Sequence, residues 1–400
     1  MVKKNKISDF LRNPSFLYIC AWCLYYMQGI LYAKGSIFAQ LILLSLILTS
    51  LNHGAKIINK QNKPIYFKGL NILLLMFTFY GLLLFITDGF VTHGVEKTVP
   101  SMYYLKGYYI SLLPIYSCYY YTKEGKLTPT VFSVCAILFV LVGIASYYQL
   151  QREALEELAS LGSNRDEVTN NAGYVVLAVL PSLLVLSKKP VLQYVCIGIC
   201  VFFVILAMKR GAILCAGIFL IMFTWHKMSK TSGTKRVLVI FAALLGLYLL
   251  TSIISKEIAN SDYFQLRIEQ TLEGESSGRN EIYQAFFNHF INDANVFNQL
   301  FGYGANGTIK LFPNYAHNDW LEILTNQGLL GIVIFLFYCL CFTRTIKSGK
   351  YQQESKFALL VFFLLFITQT FFSAGITNTV IYNSSLLGFA LADGFRRKDL

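Results

Sequence analysis

The chain has 400 residues, of which 55% are hydrophobic and only 14% are charged, and its formal net charge is +13. A soluble domain carries about 25% charged residues, so this composition excludes an ordinary soluble protein. Apolar runs of about 17–25 residues predict instead an all-α fold, a polytopic membrane helix bundle.

The chain begins with a basic segment that leads into an apolar span. Met1–Asn13 carries Lys3, Lys4, Lys6 and Arg12, and the span that follows has the length of a membrane helix. A cleavable signal peptide would have a shorter apolar region. We therefore predict that this first span is retained.

Twelve apolar stretches are predicted as membrane-spanning helices, and the longest polar segment of the chain separates the ninth from the tenth. They lie at about residues 14–33, 36–52, 69–90, 103–121, 130–150, 172–187, 190–208, 211–226, 237–255, 328–345, 357–374 and 378–395.

The connections between these spans predict their direction. If the N-terminus is cytoplasmic, the cytoplasmic segments carry 23 of the 34 basic and 5 of the 21 acidic residues, which gives net charges of +18 inside and −5 outside. This asymmetry follows the positive-inside rule. We predict that both termini are cytoplasmic, and the net charge then requires no nucleic-acid partner.

Two segments on the outer face are long. Residues 151–171 form an acidic segment that is predicted to be helical, and residues 256–327 are long enough for a small extracytoplasmic subdomain. Within the second segment, apolar residues repeat every four positions over about 279–292, which predicts an amphipathic helix on the membrane or on the bundle. Because no internal repeat or low-complexity linker is present, residues 1–400 are interpreted as one membrane domain.

Lys209 and Arg210 depart from the charge rule. They join two predicted spans on the outer side, where the rule disfavours basic residues. A charge held there usually has a partner, and Gly211 would let a bulky ligand approach the backbone. The alternative is an interfacial anchor whose side chains extend toward water.

Two further arginines lie at the outer ends of spans. Arg279 follows Ser276–Gly278 and opens the amphipathic helix, where free N–H groups favour an anion, and Arg165 precedes the sixth span. Guanidinium groups bind phosphate bidentately and stay charged, so these residues suit a diphosphate lipid head group. The alternatives are a solvated surface arginine at Arg279 and neutralisation of Arg165 by Asp166 and Glu167.

Two patterns mimic known sites without their context. Gly302, Gly304 and Gly307 form a GxGxxG pattern, but no strand–helix unit surrounds it, so we interpret it as a tight loop that brings backbone close to a ligand or to the membrane. Cys20 and Cys23 form a CxxC pattern inside a predicted span, where packing is the simpler role. The sequence also lacks an HExxH pattern, which would indicate a zinc site. We therefore predict neither a metal nor a cofactor.

The segment HNDWLEILTNQGLLG, residues 317–331, joins the polar loop to the tenth span. Asn318 or Asp319 can cap the helix that follows, and Asp319 with Glu322 resembles a capping box. At this boundary His317 could act on a substrate in the membrane surface, and the alternative is a structural histidine that ties the loop to the helix. The remaining histidines are interpreted as surface or interface residues: His53, His93, His226 and His289.

Taken together, these motifs resemble the O-antigen ligase/O-antigen polymerase superfamily of bacterial polytopic membrane glycosyltransferases. The motif at residues 317–331 is the most specific of them. The family commonly has a serine before the arginine, and this chain has Met208 and Lys209 there instead. The resemblance rests on Lys209–Gly211, Gly278–Arg279, Leu300–Gly304 and Ala316–Gly331, with Asn171 and Pro181 at further family positions.

The resemblance implies a metal-independent, inverting glycosyltransferase that uses undecaprenyl-diphosphate-linked oligosaccharide without a nucleotide sugar. It implies catalytic roles for His317, Arg210 and Arg279. Arginines would stabilise the charge that grows on the diphosphate, and a histidine would orient or deprotonate the acceptor hydroxyl. Substrate-binding roles are implied for Arg165, Asn171, Lys209, Gly304 and Asn318.

The leading interpretation is polymerisation of O-antigen or capsule repeat units at the outer face of the bacterial inner (plasma) membrane, with a flippase and a chain-length regulator as partners. A ligase that moves the finished glycan to a lipid A core uses the same donor. A transporter of lipid-linked sugars is a different class, disfavoured because few ionisable groups besides Lys106 lie within the spans. A purely structural assembly partner is a third alternative.

Overall fold

The computed structural model describes residues 10–87, 90–93, 97–161, 171–207, 209–234, 236–237, 279–312, 315–377 and 380–396, with the single positions 248, 252 and 255. This part of the chain is helical apart from one short hairpin and the connecting turns.

The helices before the outer segment are, in chain order, α1 Pro14–Tyr26, α2 Ile37–Ile58, α3 Tyr66–Thr87, α4 Ser101–Leu112, α5 Pro114–Lys123, α6 Pro129–Leu161, α7 Ala172–Leu177, a 3-10 helix Leu180–Lys188, α8 Pro190–Leu206 and α9 Arg210–Ser229. Strands β1 Phe90–His93 and β2 Lys97–Pro100 pair antiparallel between α3 and α4. The later helices are α10 Arg279–Asn288 with a π turn His289–Asp293, α11 Val296–Phe301, α12 Gly307–Leu311, α13 Asp319–Lys347, α14 Gln353–Phe372, α15 Ile381–Leu391 and a 3-10 turn Gly394–Arg396.

Six of the described helices are long and apolar enough to cross a membrane, namely α2, α3, α6, α9, α13 and α14. The prediction of a multi-pass membrane protein is therefore confirmed. Shorter helices lie within other predicted spans, and the predicted span 237–255 falls almost wholly outside the described residues. The number of twelve spans and the large extracytoplasmic loop consequently stay predictions.

Two predicted spans are interrupted at prolines. The predicted span 103–121 consists of α4 and α5, which are divided at Pro114, and the predicted span 172–187 consists of α7 and the 3-10 helix that contains Pro181. Proline has no N–H and its ring clashes with the carbonyl four residues earlier. For Pro181 that carbonyl belongs to Leu177, where α7 ends.

The chain divides into two compact units, which are described separately. One unit comprises residues 1–22, 40–129 and 278–400, and the other comprises residues 23–39 and 130–277. The first unit contains most of α2, all of α3 to α5, and α10 to α15, and the second contains α7, α8 and α9. The single membrane domain stays a prediction.

Helices α3 and α13 pack against each other in the first unit and run antiparallel. The start of α3 lies beside the end of α13, because the hydroxyls of Tyr66 and Tyr338 are 2.9 Å apart and the Tyr66 N–H donates to Thr345 Oγ1 at 3.0 Å. Farther along α3, the Tyr80 hydroxyl donates to the carbonyl of Phe301, which lies between the two residues that approach Gly328 of α13. This helix pair positions the candidate site described below.

Candidate functional site

The C-terminal end of α14 gathers side chains from two other segments. The last carbonyls of a helix have no partner within it, and here they accept hydrogen bonds from outside. Arg279 Nη1 donates to the Phe372 carbonyl at 2.9 Å, and both Asn318 Nδ2 and the Tyr283 hydroxyl donate to the Phe371 carbonyl at 3.3 Å. Adjacent carbonyls thus hold Arg279 beside the His-Asn motif.

The His-Asn motif forms the start of α13. Asn318 is the N-cap, and its Oδ1 accepts from the N–H groups of Trp320 at 2.9 Å and Leu321 at 3.2 Å. His317 precedes it with φ 51° and an exposed side chain. Left-handed backbone is uncommon outside glycine, although histidine tolerates it better than most residues. The predicted cap is confirmed at Asn318, and the cap fixes the backbone on which His317 is presented.

Asp319 and Glu322 do not form the expected capping box, because loop and neighbouring segments donate to them instead. Asp319, only 6% exposed, accepts from the Ile376 N–H through Oδ2 at 2.9 Å. The Glu322 carboxyl group accepts from Thr308 Oγ1 at 2.8 Å and from the Ala316 N–H at 2.7 Å. The two carboxyl groups therefore fasten the loop and the segment after α14 to the first turns of α13.

The glycine-rich loop packs against a break in α13. Gly328 has φ 67° and ψ −161°, which divides α13 into two helices. A Cβ on Gly328 would lie 2.5 Å from the Leu300 carbonyl carbon, and a Cβ on Gly302 would overlap with the Asn326 carbonyl group. The tight loop is present, but its backbone approaches α13, whereas the sequence predicted an approach to a ligand or to the membrane. At Gly304 (φ 89°), in contrast, the space around a Cβ is open.

His289 has a more specific setting than the sequence indicated. Its Nδ1 lies 3.1 Å from Asp293 Oδ2 and its Nε2 lies 3.1 Å from the Tyr303 hydroxyl. The imidazole thereby links the end of α10 to the glycine-rich loop. The spacing of His289 and Asp293, one helical turn apart, was the available signal, whereas the contact with Tyr303 has none in the sequence.

Polar side chains also lie behind the first turns of α13. Gln327 is fully buried, and its Nε2 donates to the Tyr104 hydroxyl at 2.7 Å. Within the described part of the chain, Gln327 Oε1 has no hydrogen-bond partner. Partial burial, together with the nearby Glu322 carboxyl group, raises the pKa of the Tyr315 phenol.

The remaining predicted site residues belong to the second unit. Asn171 occupies the N-cap position of α7, and Arg210 is the first residue of α9. A Cβ on Gly173 would lie 3.5 Å from Lys209 Cβ, so the turn before α9 packs on the start of α7. Asn171 and Arg210 are both exposed. Arg165 lies outside the described residues.

The chemical capacity of the site in the first unit follows from its groups. Arg279 offers a cation, and His317 offers an exposed imidazole. The end of α14 binds Arg279 and Asn318, the neighbour of His317, so the two groups belong to adjacent segments. Such a set can bind an anion and orient a hydroxyl group. Among the described residues, no group of three or more His, Cys, Asp or Glu side chains is arranged to hold a metal ion.

Comparison with known proteins gives one match. The family model described as O-antigen ligase matches residues 195–336, a range that includes Arg210, Arg279 and His317. No curated protein and no solved structure matched the chain. The resemblance found from the motifs is therefore confirmed over the matched range.

Proposed function

We propose that this chain, whose residues 195–336 match the O-antigen ligase family model, is a membrane enzyme of the O-antigen ligase/polymerase type that transfers a glycan from an undecaprenyl-diphosphate donor to an acceptor. The reaction takes place at the outer face of the bacterial plasma membrane, and its main product is a polymer of surface-polysaccharide repeat units. A flippase supplies the donor, and a chain-length regulator acts with the enzyme.

One observation carries this proposal. Arg279 and Asn318 bind carbonyls of adjacent residues at the end of α14, which brings the Arg279 guanidinium beside the segment that presents His317. In the first unit a cation for a leaving diphosphate and an imidazole for an acceptor hydroxyl are thus supplied by neighbouring segments. These are the two groups that the reaction needs most.

The proposed step is a single displacement. The acceptor oxygen attacks the anomeric carbon, and the bond from that carbon to the diphosphate oxygen breaks with its electron pair leaving on the diphosphate. Arg279 stabilises that charge, so no strong general acid is needed. The hydroxyl proton passes to His317 or to a water molecule oriented by His317. Attack in line with the leaving group inverts the anomeric configuration and requires no metal.

Further substrate contacts are proposed mainly from their motifs. Arg210 is proposed as a second catalytic cation, because guanidinium groups suit a diphosphate. The proposed substrate-binding residues are Arg165, Asn171, Lys209, Gly304 and Asn318. Gly304 is supported by the open space at its Cβ position, and Asn318 by its place next to His317.

The test uses the full chain reconstituted in lipid vesicles with a polyprenyl-diphosphate-linked repeat unit. We expect release of polyprenyl diphosphate and a ladder of glycans without any added acceptor. Release of polyprenyl diphosphate only when lipid A core is added would establish the second candidate, a ligase, which the description of the matched family favours. Movement of the donor across the vesicle membrane with no turnover would contradict both and favour a transporter.

A further inference from the structure

Helix α11 presents an apolar face outward. Val296, Phe297, Leu300 and Phe301 stand at positions i, i+1, i+4 and i+5, which lie on one side of a helix, and all four are exposed. Val296 is 71% and Phe297 67% exposed, whereas the two polar residues between them are half-buried. This arrangement is the reverse of a helix that faces water.

The sequence around α11 is also free of charge. Residues 294–309 contain no Asp, Glu, Lys or Arg, and Asp293 and Lys310 flank this stretch. A surface loop in water normally carries charged residues among its exposed positions. The absence of charge therefore extends from α11 through the glycine-rich loop and into α12.

A hydrogen bond between α3 and α11 shows which part of α3 lies beside the end of α11. The Tyr80 hydroxyl donates to the Phe301 carbonyl at 2.6 Å. The apolar span of α3 continues beyond Tyr80 to Ile86, which adds about 9 Å at a rise of about 1.5 Å per residue. Phe85 and Ile86 are 59% and 77% exposed, so exposed apolar surface of α3 continues along the axis beyond the residue that binds the Phe301 carbonyl.

Helix α11 is also attached to α13, again next to exposed apolar residues. Leu300 contacts Gly328 at the break in α13. The residues that follow the break, Leu329, Leu330 and Val333, are exposed and apolar, as expected for a lipid-facing helix surface. Helix α11 is therefore attached to α3 and to α13 near exposed apolar residues on both helices.

We propose that α11 is embedded in the hydrocarbon region of the bilayer, with lipid acyl chains covering Val296, Phe297, Leu300 and Phe301. Backbone at this depth must find its hydrogen bonds within the protein. The glycine-rich loop meets this requirement, because the N–H groups of Tyr303 and Gly304 donate to carbonyls of α13 at 2.8 and 2.9 Å. If the proposed function holds, this depth places the loop where a lipid diphosphate joins its polyprenyl chain.

The first experiment measures which solvent surrounds α11. A bimane label on Phe297→Cys, in a cysteine-free variant reconstituted in phosphatidylcholine vesicles, is quenched in turn by nitroxide-labelled lipid and by aqueous iodide. Val333→Cys is the lipid-facing control, and Asn292→Cys, at an exposed polar position, is the water-facing control. We expect lipid quenching at Phe297 within about twofold of the Val333 value, and weak quenching by iodide.

The opposite results are equally definite. Iodide quenching at the level of the Asn292 control would overturn the proposal in favour of a water-exposed loop. Protection from both quenchers would overturn it in favour of a second protein surface, such as another copy of this chain. Neither measurement depends on enzymatic activity, so the outcome is separate from that of the proposed function.

The second experiment uses the native chain, since a cysteine-free variant must replace seven buried cysteines. Vesicles are made with a phospholipid that carries a diazirine on its acyl chain, and adducts are mapped by mass spectrometry after illumination. We expect adducts on Val296–Phe301 as well as on the peptide that contains Val333. Adducts on the Val333 peptide with none on Val296–Phe301 would overturn the proposal.

Discussion

His317 combines an exposed imidazole with left-handed backbone, and this combination determines which substitutions are informative. Alanine at φ 51° is strained by about 1 kcal/mol, whereas asparagine adopts this conformation more readily. A loss of activity in His317→Ala could therefore result from the missing imidazole or from the backbone strain, and this variant alone does not distinguish them. His317→Asn separates them, because it retains the backbone conformation and removes the imidazole.

If His317 accepts the acceptor proton, His317→Asn and His317→Ala should both lower turnover by ~10²–10⁴-fold. Wild-type turnover should also fall as the pH drops below the pKa of the base, since a protonated imidazole cannot accept a proton. The turnover of the variants and the pH dependence of the wild type are measured as release of polyprenyl diphosphate across a pH series. Substantial activity in His317→Gln would contradict the base and leave an orienting role, and wild-type turnover in His317→Asn would reject the site.

Arg279 is expected to act through two parallel hydrogen bonds as well as through charge. Arg279→Ala should lose ~1.5–3 kcal/mol of transition-state stabilisation, and Arg279→Lys should recover only part of it because a lysine cannot bind bidentately. Turnover of the lipid-linked donor is the measurement, with the exposed Arg152→Ala as the control. Arg210→Ala is predicted to behave like Arg279→Ala. Wild-type turnover in both would make them interfacial anchors.

At the scale of elements, the sequence predicted those features whose signals are local. The amphipathic helix expected over about 279–292 is present as α10 and its π turn, and Asn318 caps the helix that it was expected to cap. The partner of Arg279 could not be predicted, because Phe372 is far away in the sequence and its carbonyl carries no side-chain signature. The breaks at Pro114 and Pro181 were open to prediction, since proline interrupts helices locally.

Glu322 joins α12 and the loop before α13 to the first turns of α13, so its removal should loosen this whole element. Glu322→Ala removes the acceptor of three buried donors, on Thr308, Ala316 and Asn326, and should destabilise the protein by about 1.5–3 kcal/mol. Thermal unfolding in detergent micelles measures this, with Glu281→Ala as the control because Glu281 is an exposed carboxylate on α10. Equal melting temperatures for the two variants would contradict the prediction.

At the scale of the whole molecule, orientation rests on charge alone. The 23 basic residues assigned to the cytoplasm predict that residues 256–327 are on the outer side of the membrane, from which α11 would enter the bilayer. The test uses whole cells that express a cysteine-free variant of the protein with one cysteine introduced at a time. A thiol introduced at Asn260 should react rapidly with an impermeant reagent. A thiol introduced at Lys60 should react only after the cells are lysed. Reaction at Lys60 in intact cells would reverse the orientation.

Gly302 packs on the backbone of Asn326 and Gln327, and Gly328 packs on the backbone of Leu300 and Gly302, which implies that the two positions are thermodynamically coupled. Each single alanine substitution adds a strained φ and forces the loop away from α13. The double variant still carries both strain terms, but it separates the loop only once. Its loss of stability should therefore be smaller than the sum of the two single losses, by an interaction energy of about 0.5–3 kcal/mol in a double-mutant cycle. Strict additivity would mean that the loop and the helix break relax independently.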